Sequence, residues 1–270
     1  MQATADTTIF TSKVRVNSVN LHYHRAGRGR AVLVFLHGSV STGLLDFAPQ
    51  LQSQLMCDHF DMIAVDLRGC GESRPPEKDF SGDFYRSDAD DVARLMDSLK
   101  IHRYSIAGWC YGGTVALILA AMRPDAVEAL MIWGVMAYLE RKTVDKFVAI
   151  ESLSAWNEEI LSRVTAYYPL DVMQRLWSAW VRGVTRLADE RGEDIYQGSL
   201  AMVKCPTLLM HGSRDPLITV HHAEIIKANV RGPTAYREFL GGRHQIHRDV
   251  CDDFNGKVVE FFEAHVKESA

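Results

Sequence analysis

The chain has 270 residues, 47% of them hydrophobic, enough to bury a sizeable core; its 30 basic and 34 acidic side chains leave a formal charge of −4. Without a polybasic run, nucleic acid and anionic membrane surfaces are not the expected partners, and a small molecule is. The five cysteines are odd in number and contain no C-x-x-C pair, which argues against a disulfide framework or structural zinc site and fits a reducing compartment.

The N-terminal MQATADTTIFTSK lacks the apolar core of a signal peptide and is poor in arginine, and no later stretch reaches the roughly 18 apolar residues of a membrane span. The expectation is a cytoplasmic protein, mitochondrial placement not excluded, acting as a monomer or small homo-oligomer. Val14, Val16, Val19, Leu21 and Tyr23 alternate around Asn17-Ser18, predicting a two-stranded antiparallel start at a sheet edge. His22 and His24 share one face of the second strand. With no third ligand near them in sequence, they read as solvated edge residues rather than metal ligands.

Residues 31–36 (AVLVFL) form a continuous apolar run, as strands buried on both faces require, and end in His37-Gly38-Ser39. An amphipathic helix over 47–56 crosses to a second buried strand at 62–65, followed by the D-x-R-G-x-G-x-S stretch from Asp66, which reads as a structural turn braced by the aspartate. A helix over 84–99 comes next, with acidic residues near its start where the helix dipole favours them.

Residues 104–121 (YSIAGWCYGGTVALILAA) then read as a buried strand, an abrupt corner and an apolar helix. Cys110 stands at the corner. Gly108, Gly112 and Gly113 allow tight packing of helix on strand, so the corner residue can hold a strained backbone and project its side chain outward. The competing reading is a cysteine that merely fills core.

A buried strand over 129–135 follows, and then the alternation breaks: residues 136–202 show only helical patterns, at 144–153, 157–167 and 170–187. This predicts a helical cap (136–202) inserted into a core domain made of 1–135 and 203–270. A strand at 207–211, a helix at 218–228, a strand at 234–240 and a closing helix at 254–266 complete a mostly parallel, doubly wound α/β design.

In open parallel sheets the reacting groups gather beyond the carboxyl ends of the strands. Three residues occupy such positions in the order nucleophile, acid, histidine: Cys110, Asp215 and His244. A thiolate is a strong nucleophile, an adjacent imidazole can take its proton, and a carboxylate on the far ring nitrogen fixes the tautomer. His247, three residues further on and heading a helix, is the rival base, with a capping or supporting role as the alternative. Backbone amides of Ser39 and Tyr111 are the candidate oxyanion donors.

Gly108-Trp109-Cys110-Tyr111-Gly112 fits the G-x-S-x-G elbow of α/β hydrolases except at its centre. With FLHGSVSTGLLDFAPQL, VDLRGCGESRPPEKDF, IWGVMAY, CPTLLMHGSRDPL and GGRHQIH, the chain from about Lys13 onward resembles the biphenyl hydrolase-like (valacyclovir hydrolase) group. The resemblance implies the α/β-hydrolase fold, serine-type hydrolysis of activated esters, and a triad whose nucleophile is carried onto Cys110, its acid onto Asp215 and its base onto His244. Two departures stand out. The group uses serine where this chain has Cys110, and an aspartate suited to a substrate ammonium where it has Tyr111, which turns expectation away from amino-acid esters.

The expected activity is cleavage of a small ester, lactone or thioester through an acyl-cysteine, since such an adduct expels an alkoxide or thiolate more readily than an amine. Acyl transfer or cyclisation through the same intermediate is the first alternative, and a non-enzymatic ligand-binding protein on a hydrolase fold the second. Trp109, Trp156, Trp177 and Trp180, with Phe147, Tyr167 and Tyr168, supply aromatic surface for an apolar or aromatic acyl group. No metal or other cofactor is called for.

Overall fold

A turn with Asn17 and Ser18 at φ 42° and 62° reverses β1 (Phe10–Val16) onto β2 (Val19–Gly27), the positive-φ pairing that suits the twist of a hairpin. The computed structural model describes residues 8–192, 194–196 and 198–266. Next come β3 (Ala31–Leu36), α1 (Gly43–Leu51), α2 (Gln54–His59) and β4 (Phe60–Val65). After α3 (Phe84–Ser98) the elbow strand β5 (Tyr104–Trp109) leads into α4 (Tyr111–Met122), and β6 (Val127–Trp133) follows. Helices α5 (Arg141–Ala149), α6 (Glu158–Thr165) and α7 (Leu170–Arg191) precede β7 (Thr207–Gly212), α8 (Val220–Asn229), β8 (Thr234–Phe239), α9 (Ile246–Asp249) and α10 (Cys251–His265).

The strands form one sheet in the order β1-β2-β4-β3-β5-β6-β7-β8, parallel from β4 to β8 and antiparallel where β2 meets β1 and β4. Successive residues of β3 serve opposite cores: Leu33 and Phe35 pack with Phe47 and Phe254, while Val34 and Leu36 pack with Val92 and Val115. Helices cover both faces, so a continuous apolar strand leaves nothing greasy in water. No helix of the described residues is long and apolar enough to cross a membrane.

Two sequence expectations change. The single helix at 47–56 is two, because Ser53 opens a new one by accepting a hydrogen bond from Met56 N. His22 and His24 are buried, at 7% exposure each, rather than solvated. Of the hairpin's two strands β1 forms the sheet edge and β2 lies one strand in, and α1 covers the face that carries the histidines. A third group also reaches them through the fold: His22 Nδ1 lies 2.9 Å from Asp66 Oδ2, and His22, His24 and Asp66 offer ligand atoms within 4.8 Å of one another. Both Asp66 oxygens already accept backbone N–H bonds, from Gly43 at 2.8 Å and Glu72 at 3.0 Å. The aspartate therefore braces the turn, as its motif suggested.

Candidate active site

Cys110 sits at φ 53°, ψ −115°, a conformation costly for any residue with a side chain. Its surroundings hold it there. Cys110 N donates to Trp133 O at 3.0 Å, and Cys110 O accepts from Gly113 N at 3.1 Å. A Cβ on Gly112 would stand 2.1 Å from Leu36 O, and one on Gly113 would stand 2.2 Å from Val135 Cγ2. Only glycine lets α4 approach β5 and β3 this closely.

Asp215 follows β7. Its Oδ1 accepts from Leu217 N at 2.8 Å and Ile218 N at 3.0 Å, and its Oδ2 lies 2.7 Å from His244 Nδ1. Burial pushes this carboxyl upward in pKa, but His244 and the two amides outweigh it and the net shift is down. His244 stands beyond β8. Burial opposes its positive charge, yet the Asp215 carboxylate and the Cys110 sulfur together raise its pKa to about 10. The three expected residues thus meet, with the imidazole between sulfur and carboxylate.

Several supports were not legible in the sequence. Trp109 Nε1 donates to His244 O at 3.0 Å, so the tryptophan beside the nucleophile also holds the histidine loop. Gly134, at φ 61°, leaves room for the ring, since a Cβ there would lie 2.8 Å from His244 Cε1. Asp46 accepts from Gly38 N at 3.0 Å and Ser41 Oγ at 2.7 Å, fixing the loop that presents Ser39 to the cavity. Tyr111 is the first residue of α4, where the backbone N–H has no partner within the helix.

His247, the rival base, is buried in α9, and its Nδ1 accepts from Trp133 Nε1 at 3.0 Å. Burial, then Arg248 and His244, drive its pKa well below the ordinary value, so it stays neutral and supports the packing. The Tyr111 side chain, standing where the resembling group has an aspartate suited to a substrate ammonium, does not line the cavity. Its ring packs on Tyr85, and its hydroxyl donates to Asp88 Oδ2 at 2.7 Å, beside the buried Lys78 Nζ. Leaving the corner as the first residue of α4, the side chain points into the α3–α4 core.

Cys110, His244, Ser39 and Trp109 open on one cavity of about 350 Å³. Its far wall carries Phe147 and the three expected tryptophans, Trp156, Trp177 and Trp180. Trp156 and Trp177 both donate to Ile150 O, at 3.1 and 2.9 Å, so their polar edges are satisfied within the wall and their apolar surface is left for a ligand. Two aromatics of the expected set lie elsewhere: Tyr167 is exposed, and Tyr168 bonds Gly71 N and Ser41 O.

An eight-stranded, mostly parallel sheet with a strained corner after β5, an acid after β7 and a histidine after β8 defines an α/β hydrolase. A profile of the alpha/beta hydrolase fold matches residues 31–167, and the chain belongs to that family. It is 37% identical over 261 residues to the serine hydrolase BPHL of Mus musculus, covering 97% of this chain and 89% of that one. The Homo sapiens protein of the same name is 35% identical over 257 residues, covering 95% and 88%. Among solved structures, the fold resembles 2-hydroxy-6-oxo-6-phenylhexa-2,4-dienoate hydrolase from Rhodococcus sp. strain RHA1, with a TM-score of 0.79 at 16% identity over 95% of this chain and 99% of that one. It also resembles the enol-lactonase from Burkholderia xenovorans LB400, with a TM-score of 0.70 at 24% identity over 93% and 100%. The two mammalian relatives are named serine hydrolases, whereas the corner of this chain carries cysteine.

Proposed function

We propose that this α/β hydrolase cleaves a small ester, lactone or thioester through an acyl intermediate on Cys110, with His244 as base and Asp215 as its orienting acid. The observation that carries the reading is that Cys110 and His244 line one cavity while Asp215 Oδ2 stands 2.7 Å behind the His244 ring at Nδ1. The Cys110 sulfur attacks the acyl carbon and gives its proton to His244, while the carbonyl electrons move to oxygen. The amides of Ser39 and Tyr111 are the donors for that oxyanion. Collapse breaks the bond to the leaving group, which takes the proton from His244. Water then attacks the thioester, giving up its proton to His244, and the second collapse releases the carboxylic acid and restores the thiol. Asp215 steadies the imidazolium in both halves.

The apolar wall of Phe147, Trp156, Trp177 and Trp180 favours an apolar or aromatic acyl group. The test is intact-protein mass after brief exposure to a panel of activated acyl esters, with peptide mapping. A single acyl adduct on Cys110 that disappears as free acid forms is the expected result. Turnover with no adduct, and turnover retained in Cys110→Ala, would overturn the acyl-cysteine route.

A further inference from the structure

One side chain in the cavity is unaccounted for by this chemistry. Arg163, on α6, lines the same space as Cys110 and His244 and donates from Nη2 to Gln245 Oε1 at 2.7 Å. Its Nε is buried without a hydrogen-bond partner. The acids around it are turned elsewhere. Asp46 is taken up by Gly38 N and Ser41 Oγ, and Asp249 pairs with Arg243. Glu159, one turn earlier on α6, also lines the cavity, but no carboxylate among the described residues forms an ion pair with Arg163. Burial and the nearby Arg248 work against its charge and outweigh the longer-range support of Asp46, Glu159 and Asp249, yet a guanidinium does not give up its proton in proteins. The cavity wall therefore carries a partly desolvated cation with no ion-pair partner, its guanidinium held by Gln245 at Nη2. That is a costly arrangement, which an anion of matching geometry relieves.

We infer that the substrate carries a free carboxylate, bound by Arg163, in addition to its scissile ester or lactone carbonyl. This rests on the proposed acyl-cysteine chemistry and narrows its substrate class. A carboxylate fits better than a bulkier anion because, of the two guanidinium groups that line the 350 Å³ cavity with its aromatic wall, Arg243 is already paired with Asp249 and Arg163 alone has no carboxylate partner. Gln245, which holds the guanidinium, is the residue after His244, so the anion lies on the base's side of the cavity. The class is thus a short half-ester of a dicarboxylic acid, or a lactone bearing an acid group.

The experiment compares 4-nitrophenyl hydrogen glutarate with 4-nitrophenyl pentanoate, esters of similar length that differ in the terminal carboxylate. The parent is expected to favour the half-ester in kcat/KM, and Arg163→Gln to reduce the half-ester to neutral-ester ratio about 10- to 100-fold, the worth of a charge-assisted hydrogen bond. Arg163→Lys, which keeps charge but loses the fork, should recover part of that ratio. Glutarate binding to Cys110→Ala, read by tryptophan fluorescence, is the measurement independent of turnover, and Arg163→Gln in that background should weaken it by a similar factor. An unchanged ratio, or no glutarate binding, overturns the carboxylate site. Arg163-dependent glutarate binding without any acylation of Cys110 would sustain the site and sink the acyl-cysteine reading instead.

Discussion

Replacing Asp215 by asparagine tests the site at its most constrained point. Because Oδ1 accepts from both Leu217 N and Ile218 N, the amide oxygen of asparagine must take that position, which turns the NH2 toward His244 Nδ1. An NH2 cannot accept from an N–H, so the ring is driven to the tautomer with its proton on Nε2, and the base no longer faces sulfur with a lone pair. The charge is lost as well. With charge centres about 4 Å apart and an effective dielectric of about 20, the attraction between carboxylate and imidazolium is about 4 kcal/mol, roughly a thousandfold in rate. Asp215→Asn should therefore slow single-turnover acylation about 10²- to 10⁴-fold. The backbone contacts survive, so Tm should stay within about 5 °C of the parent. Rapid-quench mass spectrometry of Cys110 acylation, with thermal melts of both proteins, is the assay. Acylation within threefold of the parent, in a variant of unchanged Tm, would refute the role given to Asp215.

The remaining predictions concern the corner, its neighbour and pH. Limiting iodoacetamide should label Cys110 before the other four cysteines: burial pushes Cys70 up to about 12 and Cys205 to about 11, raises Cys251 too, and leaves Cys57 inaccessible. First labelling elsewhere would contradict this. Both Cys110→Gly and Cys110→Ala should abolish labelling at that site, but the glycine form should melt at the higher temperature because φ 53° strains alanine and not glycine; the reverse order would show that the corner is unstrained. Tyr111→Phe deprives the buried Asp88 of a donor and should cost about 1–2 kcal/mol, or about 3–6 °C in Tm, without altering the choice between matched amino and neutral esters. A changed ester preference would place Tyr111 at the substrate after all. His244 has a folded pKa of about 10 against an ordinary 6.5, so the stability it contributes is complete below about 6.5 and lost as pH rises through about 10. NMR of its ring protons should show a midpoint near 10 that falls in Cys110→Ala, and a midpoint near 6.5 in the parent would refute the coupling.

The elements that short-range chemistry controls were readable from the chain alone. Apolar runs such as 31–36 predict strands buried on both faces, and the glycines around Cys110 predict a tight strand-to-helix corner. The order Cys110, Asp215, His244 follows from where each residue stands after its strand, and those three do converge. Other features depended on which surfaces the fold brings together. His22 and His24 alternate as an exposed edge strand would, and are buried only because β1 pairs outside β2 while α1 crosses above it. Tyr111 adjoins the nucleophile in sequence, yet the side chain at the first position of α4 is directed into the α3–α4 core toward Asp88. His247 and His244 are chemically the same residue three positions apart. One is kept neutral by burial and the Trp133 indole, while the other is raised by a carboxylate 29 residues earlier. Arg163 carries no motif at all. Its meaning comes from a helix docking beside the catalytic cavity, where burial and the prior engagement of Asp46 and Asp249 leave it without an ion-pair partner. Burial and partner geometry are properties of several distant segments at once, and no local pattern encodes them.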